Sequence, residues 1–428
     1  MTLSTWIAAQ REASARALAD VVSATGLVHE RPGLGQRVRP RRGSVLASRH
    51  PGLWDPEPDY VHHWVRDAAI VFLAARRIGG NGWPRRMADY VAFSLEIATR
   101  PGPPGNPLAA SARPDHRRFL RPDAELAALT GDALLGEPRA GADGSADAER
   151  WSRPQYDGPA LRALSLLRWT GRRDAAMERL LAIDLDHVCR HAARPCIGPW
   201  EEEGEDDLHA FTLIAQRIAL AEGLGAGLLP EEGARAPLDR IDAALETLWR
   251  PGPGHLAARA GGADTDAAVI LAALLAGDDA APFGPADPRI RASAAALEDW
   301  SAAAYPLNRG APVPLVGRNP ADRYFGANPW VPVTLAMAEL HFRLATAPAH
   351  VDATGGGPQA LGARGDACLA ALAARLPTAG ALPEQLDRAT GEPRSCPDLA
   401  WSHAAFLEAT AAREAAIAAG AFRPGKGS

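Results

Sequence analysis

Hydrophobic residues recur at three- and four-residue spacing in twelve segments of the chain, which is the spacing of one face of an α-helix. Segments of alternating or β-branched residues, which would predict strands, are nearly absent. The pattern therefore predicts an all-α protein. The predicted helices are Leu3–Ser23, Tyr60–Arg77, Arg85–Thr99, Pro159–Trp169, Arg173–Ala192, Asp207–Gly223, Ala236–Leu248, Thr265–Leu275, Pro288–Ala303, Pro329–Ala345, Gln359–Leu376 and Asp398–Gly420.

Twelve helices in series favour a particular architecture. No 34- or 40-residue motif recurs along the chain, which disfavours a solenoid. A ring of six helical hairpins, the (α/α)6 barrel, or a bundle array would each accommodate the pattern. We expect residues 1–428 to form a single domain. Three connectors, 24–59, 100–158 and 304–328, are longer than ordinary loops, and loops of that length in a compact domain are usually functional or disordered.

Polar and aromatic side chains concentrate in the connectors that precede even-numbered helices. If consecutive helices are antiparallel, these connectors all open on the same face, so the pattern predicts one functional face. The connectors before odd-numbered helices have the composition of ordinary turns. The concentrated residues are Tyr60, Trp64, Arg66 and Asp67 before the second helix, Trp151 before the fourth, Trp200, Glu201, Glu202 and Glu203 before the sixth, segment 258–266 before the eighth, Arg318, Tyr324 and Trp330 before the tenth, and Glu384 before the twelfth.

Charge and composition narrow the choice of partner. The chain is 47% hydrophobic and 23% charged, with a formal net charge of −5, and it has no basic stripe that would neutralise nucleic-acid phosphates. We therefore expect no nucleic-acid partner. No run of 18 apolar residues predicts a membrane span, and we expect a monomer, although the sequence leaves the oligomeric state open.

Cysteine and histidine positions argue against disulfides, cofactors and metals. The four cysteines are scattered, and the first residues lack the basic and apolar regions of a secretory signal, so we expect a cytoplasmic protein. His187 and His191 are four residues apart on one predicted helix, but no third ligand follows at a defined spacing. We interpret them as ordinary helix residues and predict no metal and no cofactor.

The predicted face suits a neutral sugar. Tryptophan rings bind the C–H surface of a pyranose, while arginine and aspartate side chains bind its hydroxyl groups. Glycoside hydrolysis needs one protonated carboxyl group and one ionised carboxylate. Adjacent like charges in a partly desolvated loop raise the pKa of at least one carboxyl group, so the run Glu201–Glu203 provides a candidate acid, and Glu384 provides a candidate base.

Each of these features also has a purely structural interpretation. Acidic runs commonly form a solvated helix start. Loop tryptophans can seal the end of a barrel, and Arg66 with Asp67 can form a structural ion pair.

In these residues the chain resembles the glucoamylases of glycoside hydrolase family 15. Six motifs occur in the family's order over nearly the whole chain, and Arg139 replaces the family's lysine. The motifs are Tyr60–Asp67, Gly136–Arg139 with Trp151–Ala160, Trp200–Glu202, Arg318–Tyr324, Asn328–Trp330 and Glu384–Ser402.

The resemblance implies an (α/α)6 barrel and an inverting exo-hydrolase that removes glucose from non-reducing ends. It implies that Glu201 is the general acid and that Glu384 is the base that activates water. The remaining implied site residues bind substrate: Tyr60 near the water, Arg66, Asp67 and Arg318 on the terminal glucose, Glu202 on the next sugar, and Trp64, Arg139, Trp151, Trp200, Tyr324 and Trp330 in the same subsites.

Two departures from the family pattern leave the linkage preference open. Gly198 and Pro199 replace an Asp-Leu pair, and Glu203 adds a negative charge. We expect neither a starch-binding module nor an N-terminal β-sandwich, and therefore short soluble oligosaccharides as substrates. The alternatives are an isomaltosidase, a glucodextranase or a trehalase of the same family, or a non-catalytic sugar-binding barrel.

Overall fold

The computed structural model of the protein describes residues 2–50, 59–80, 82–202, 204–347 and 356–425. Within these residues the chain is predominantly helical. The helices are α1 Leu3–Val21, α2 Val65–Ala75, α3 Trp83–Thr99, α4 Asp123–Ala127, α5 Asp132–Leu135, α6 Asp157–Leu167, α7 Ala175–Arg190, α8 Ala210–Gly225, α9 Glu231–Glu246, α10 Ala267–Ala273, α11 Pro288–Ala304, α12 Val331–Thr346, α13 Gly357–Arg375 and α14 Ala400–Ala418.

Short antiparallel strand pairs join the helices. They are β1 His29–Arg31 with β2 Gln36–Val38, β3 His62–Trp64 with β4 Arg139–Gly141, β5 Trp249–Arg250 with β6 His255–Leu256, and β7 Gln385–Leu386 with β8 Pro393–Arg394. All twelve predicted helices are confirmed, while the short helices α4 and α5 were not predicted.

The predicted start of the second helix is wrong. Residues 60–64 are extended, and α2 begins only at Val65. Strand β3 pairs with β4 so that Trp64 lies opposite Arg139. His63 is buried in this strand, and its Nδ1 accepts a hydrogen bond from the backbone N–H of Val45 at 2.9 Å. These tertiary hydrogen bonds hold the segment extended in spite of its helical spacing.

The chain divides into two compact units. The N unit is Leu18–Ala244, and the C unit is Met1–Ala17 together with Leu245–Ser428. The prediction of one domain stays a prediction. Among the described residues, no helix is both long and apolar enough to cross a membrane.

In the N unit, α6 packs against both α2 and α8, and α3 packs against α7. Helix α2 buries all its residues except Ile70, and α6 buries Asp157 through Leu166, whereas α3 and α7 bury one side only. The helices that follow the polar connectors are therefore the interior ones of this unit.

The C unit repeats this arrangement. Helix α12 packs against α10, α13 and α14, and its residues Val331 through Phe342 are all buried. Helix α1 adds Trp6 to the same core, where its ring lies edge-on to Phe406 at 5.4 Å between centroids. Here too the even-numbered predicted helices form the interior.

Candidate active site

Glu201 is the point where three connectors of the N unit meet. Its Oε2 accepts hydrogen bonds from Nε1 of Trp64 at 3.1 Å and from Nε1 of Trp151 at 2.5 Å. Its Oε1 accepts from Nη2 of Arg66 at 2.8 Å and from Nε2 of Gln155 at 3.3 Å. The donors come from the connectors before α2 and α6 and, for Arg66, from the first turn of α2, while Glu201 comes from the connector before α8. The prediction that these connectors converge is confirmed within this unit.

A tight turn aims the Glu201 side chain. The backbone of Glu201 has φ +58°, in the left-handed region that residues with a side chain rarely adopt. The carbonyl oxygen of Gly198 accepts from the backbone N–H of Glu201 at 3.2 Å and from Nε2 of Gln155 at 3.0 Å. Gln155 therefore holds both the turn and the carboxylate at its end.

The turn has no room for a side chain at Gly198. A Cβ atom at this position would lie 2.4 Å from Nδ1 of His209. The ring of His209, the residue directly before α8, occupies the space into which the family's aspartate would project. The packing of His209 thus explains why this chain has glycine at position 198, where the family has aspartate.

Arg66 contacts several carboxylates, and the simple ion pair with Asp67 that the sequence also allowed is only one of these contacts. Besides Glu201, its Nη1 donates to Asp157 Oδ2 at 3.2 Å and to Gln155 Oε1 at 3.1 Å, while its Nε is 3.9 Å from Asp67 Oδ2. Burial by itself lowers the pKa of Arg66, but the carboxylates of Glu201, Asp157 and Asp67 raise it above its ordinary value. Arg66 is therefore a permanent buried cation at the centre of this cluster.

Arg139 packs against the two tryptophans that bind Glu201. Its Cζ lies 3.8 Å from the ring centroid of Trp151 and 5.1 Å from that of Trp64. The two indole rings lie edge-on to each other at 6.0 Å. Asp147 holds the guanidinium from the other side, where its Oδ2 accepts from Arg139 Nε at 3.0 Å. The predicted site residue Arg139 thus supports the indole rings.

A buried charge network surrounds Arg139, and sequence reasoning missed most of it. Glu149 accepts two hydrogen bonds from Arg31, at 2.8 and 2.7 Å, and its Oε1 lies 3.5 Å from Nε2 of His62. Burial by itself raises the pKa of Glu149, but His62 and the arginines lower it well below its ordinary value. Asp147 and Glu149 lie in a segment of small residues whose composition indicates only a loop, so no sequence signal marks them.

The other predicted residues of the N unit differ in exposure. Tyr60 is buried, with its ring centroid 6.1 Å from that of Trp64. Trp200 is half-buried and Glu202 is exposed. Glu203 lies outside the described residues.

Glu384 is a buried carboxylate of the C unit, at the start of the β7–β8 hairpin. Its Oε2 accepts a hydrogen bond from Oγ of Ser395, and the backbone N–H of Cys396 lies 3.5 Å from the same oxygen. The carbonyl oxygen of Glu384 accepts from the backbone N–H of Val331 at 2.9 Å. Ser395 has φ +59° and was missed because only the hairpin brings it to Glu384.

Arg318 is a buried cation of the C unit. Asp322 accepts from both its Nε, at 3.0 Å, and its Nη2. Its Cζ lies 5.3 Å from the ring centroid of Tyr324 and 5.6 Å from that of Trp330. Asp322 lies inside a motif that we recognised, but its spacing alone does not reveal that it orients Arg318.

The connectors before α10, α12 and α14 also converge within the C unit. Asn319 Nδ2, before α12, donates to Asp266 Oδ2, before α10, at 2.9 Å. The rings of Trp330 and Trp401 lie edge-on at 5.9 Å. The convergence predicted from the sequence is therefore confirmed in each unit taken by itself.

Comparison with known proteins agrees with the family resemblance found in the sequence motifs. A family model described as glycosyl hydrolases family 15 matches residues 34–354. The chain is 28% identical over 417 residues to glucoamylase-1 of Schizophyllum commune, covering 85% of this chain and 68% of that protein. It is 27% identical over 412 residues to a probable glucoamylase of Schizosaccharomyces pombe, covering 84% and 83%.

The structural comparisons agree. A glucoamylase structure from Saccharomycopsis fibuligera matches with a TM-score of 0.76 at 21% identity, over 98% of this chain and 96% of that one. The Hormoconis resinae glucoamylase matches with a TM-score of 0.77 at 25% identity, over 97% and 74%. These matches confirm the predicted all-α (α/α)6 barrel. The motifs, the fold and the family match together show that the chain belongs to glycosyl hydrolases family 15 and is a glucoamylase-like glycoside hydrolase.

Proposed function

We propose that this protein is an inverting exo-α-glucosidase that releases glucose from the non-reducing ends of short α-linked gluco-oligosaccharides. The observation that carries the proposal is the setting of Glu201. Four side-chain donors converge on its carboxylate, which is 8% exposed, at the position of the family's Trp-Glu-Glu motif. A purely solvated acidic run would leave such a side chain in water.

In the proposed reaction, Glu201 donates a proton to the glycosidic oxygen as the bond from that oxygen to the anomeric carbon breaks. Glu384 takes a proton from a water molecule, whose oxygen attacks the anomeric carbon from the opposite face. The products are glucose with inverted configuration and a shortened sugar. Such a mechanism requires the two carboxyl groups to be roughly 6.5–9.5 Å apart, which leaves space for the water.

The two carboxyl groups are held by different partners. Glu201 contacts two indole N–H groups and a guanidinium, which fix the orientation of its side chain. Glu384 is held through one oxygen by the Ser395 hydroxyl, a small neutral donor that suits a carboxylate required to accept a proton from water.

The substrate-binding residues follow from the same proposal. Arg66, Asp67 and Arg318 bind the hydroxyl groups of the terminal glucose, and Tyr60 lies near the attacking water. Trp64, Arg139, Trp151, Trp200, Glu202, Tyr324 and Trp330 form the subsites around it. The buried guanidinium groups support this assignment, because their carboxylate partners fix them in one orientation before substrate binds.

Turnover of defined sugars tests the proposal. The protein is incubated with maltose, maltotriose, isomaltose, panose and trehalose, and the first anomer released is followed by NMR. We expect maltotriose to give β-glucose first. Initial release of α-glucose would refute inversion. Cleavage of isomaltose or trehalose in preference to maltose would reassign the linkage, and turnover of none of the sugars would favour a binding protein.

The cytoplasmic location and the monomeric state remain part of the proposal. Among the described residues no disulfide joins Cys189, Cys196, Cys368 or Cys396, and three of these cysteines are buried, which suits a reducing compartment.

A further inference from the structure

A cluster of two histidines and one aspartate lies in the N unit. His187 belongs to the last turn of α7, His191 directly follows that helix, and Asp132 is the first residue of the four-residue helix α5. The two imidazole rings stack at 4.2 Å between centroids with 22° between their planes. One ligand atom from each of the three side chains lies within 4.8 Å of the other two.

The imidazole nitrogens of the cluster approach both oxygens of the Asp132 carboxylate. His191 Nε2 is 3.1 Å from Asp132 Oδ2, and His187 Nδ1 is 3.7 Å from Asp132 Oδ1. Zinc binds nitrogen and oxygen ligands at about 2.0–2.2 Å, and tetrahedral angles then separate neighbouring ligand atoms by about 3.4 Å. Each nitrogen is thus close to the ligand-to-ligand distance from one oxygen of the carboxylate.

His187 lacks a hydrogen-bond partner although it is completely buried. Its side chain is 0% exposed, and neither ring nitrogen has a hydrogen-bond partner. The 3.7 Å separation from Asp132 is too long for a hydrogen bond, and buried polar groups are nearly always satisfied. An ion on Nδ1 would satisfy that nitrogen and fix the ring proton on Nε2.

A second cluster of the same residue types has a different charge environment. His62, Asp147 and Glu149 also lie within ligand distance of one another. Their carboxylates are paired with buried guanidinium groups, since Arg31 bonds Glu149 and Arg153 bonds Asp147 at 2.9 Å. These charges and that of buried Arg139 would repel a cation, whereas the one guanidinium described on Asp132, that of Arg190, is 42% exposed and therefore screened by solvent.

We propose that Asp132, His187 and His191 bind one divalent transition-metal ion, with Zn²⁺ as the ion that best suits two imidazoles and one carboxylate. The Asp132 side chain is 43% exposed, so solvent can enter the site and supply a fourth ligand. The bound ion joins α5 to the end of α7. It thereby stabilises the segment that leads from α5 to Gly136, whose carbonyl oxygen accepts from the backbone N–H of Gln155 at 2.8 Å.

The experiment compares two aspartates that share one arginine partner. Asp132 and Asp186 both pair with Arg190, and both are exposed, but only Asp132 belongs to the cluster. Asp132→Asn and Asp186→Asn therefore remove the same charge from the same neighbour. His191→Gln keeps a donor toward Asp132 while removing a ligand, which provides a second test in a folded protein.

Chelator-treated full-length protein is titrated with zinc sulfate in a calorimeter, and Co²⁺ is added separately to record its visible absorption. We expect one Zn²⁺ per chain, an intense tetrahedral Co²⁺ spectrum and a rise in Tm with Zn²⁺. Asp132→Asn and His191→Gln should weaken binding on the order of 100-fold, since loss of an outer-sphere partner alone typically costs 10–100-fold. Asp186→Asn should bind as the unmodified protein does. Absence of saturable binding, or equal weakening by all three substitutions, would overturn the proposal.

Discussion

Replacing Glu201 with glutamine removes the proposed proton donor while conserving the size of the side chain. The carboxylate accepts four hydrogen bonds, two at each oxygen. An amide offers one acceptor oxygen, and its NH2 group would face two donors, so two bonds are lost in either orientation. At about 1.5–3 kcal/mol for each bond to a charged group, this loss lowers the unfolding free energy by roughly 3–6 kcal/mol. We expect the variant to fold with a lowered Tm, because Arg66 keeps Asp157 as a partner.

Catalysis should fall much further than stability. General acid catalysis contributes about 10²–10⁴-fold, so kcat for maltotriose should fall by several orders of magnitude in Glu201→Gln. An α-glucosyl fluoride needs little protonation of its leaving group, and its hydrolysis by this variant should be far less affected. Glu384→Gln should lose activity on both substrates, because water must be activated in either case. The ratio of the two rates therefore distinguishes the acid from the base.

Glu205→Gln is the matched control, because Glu205 is an exposed carboxylate in the same acidic connector. It should leave both rates unchanged. The reasoning is refuted if Glu201→Gln keeps a near-normal rate on maltotriose, or if it loses the same factor on the fluoride as on the sugar. Thermal unfolding of each variant, followed by circular dichroism, shows whether a lost rate reflects lost structure.

Three further predictions test individual contacts. Arg139→Lys replaces a flat guanidinium 3.8 Å from the Trp151 ring with a compact ammonium charge, so the KM for maltotriose should rise by up to about tenfold with little change in kcat. An unchanged KM would contradict the proposal that Arg139 supports the ring. Ser395→Ala removes the hydroxyl that orients Glu384, so kcat should fall at least about tenfold at constant KM, as steady-state kinetics would show. Burial lowers the pKa of His63 to about 3 from 6.5, so between these pH values only the unfolded chain binds a proton at this residue. The unfolding free energy, measured by denaturant titration at several pH values, should therefore fall with decreasing pH by up to about 1.4 kcal/mol per pH unit. In His63→Gln this dependence of the unfolding free energy on pH should be weaker.

The sequence predicted the long helices because each has a sustained apolar face. Helix α12 shows why this works: burial on every side requires apolar residues throughout, and Val331 through Phe342 satisfy that requirement almost completely. Residues 60–64 carry the same kind of pattern, yet they are extended, because pairing with β4 is a contact between distant parts of the chain. Spacing along the sequence does not contain that contact.

Site residues that belong to a recognisable motif were predicted from the sequence. Residues that only the folded structure brings next to the site were missed. Glu201 and Glu384 come from recognisable motifs, whereas Asp147 and Ser395 support the site through a turn and a hairpin that bring them close. The same limit applies to Asp132. It begins a helix of four residues, too short for any periodicity, so the sequence offered two of the three proposed metal ligands.

The first helix of the chain packs against the last segments. Trp6 Nε1 donates to the carbonyl oxygen of Leu376 at 2.8 Å, and Gln10 Nε2 donates to that of Gly380 at 2.9 Å, in both cases across 370 residues of sequence. During synthesis on the ribosome, helix α1 emerges first, but the segment around Leu376 and Gly380 that it packs against is made only when the chain is nearly complete. Residues 18–244, which form the N unit, are all synthesised before that segment. Completion of the C unit is then the late step of folding, and a chain interrupted before Leu376 leaves the apolar side of α1 uncovered.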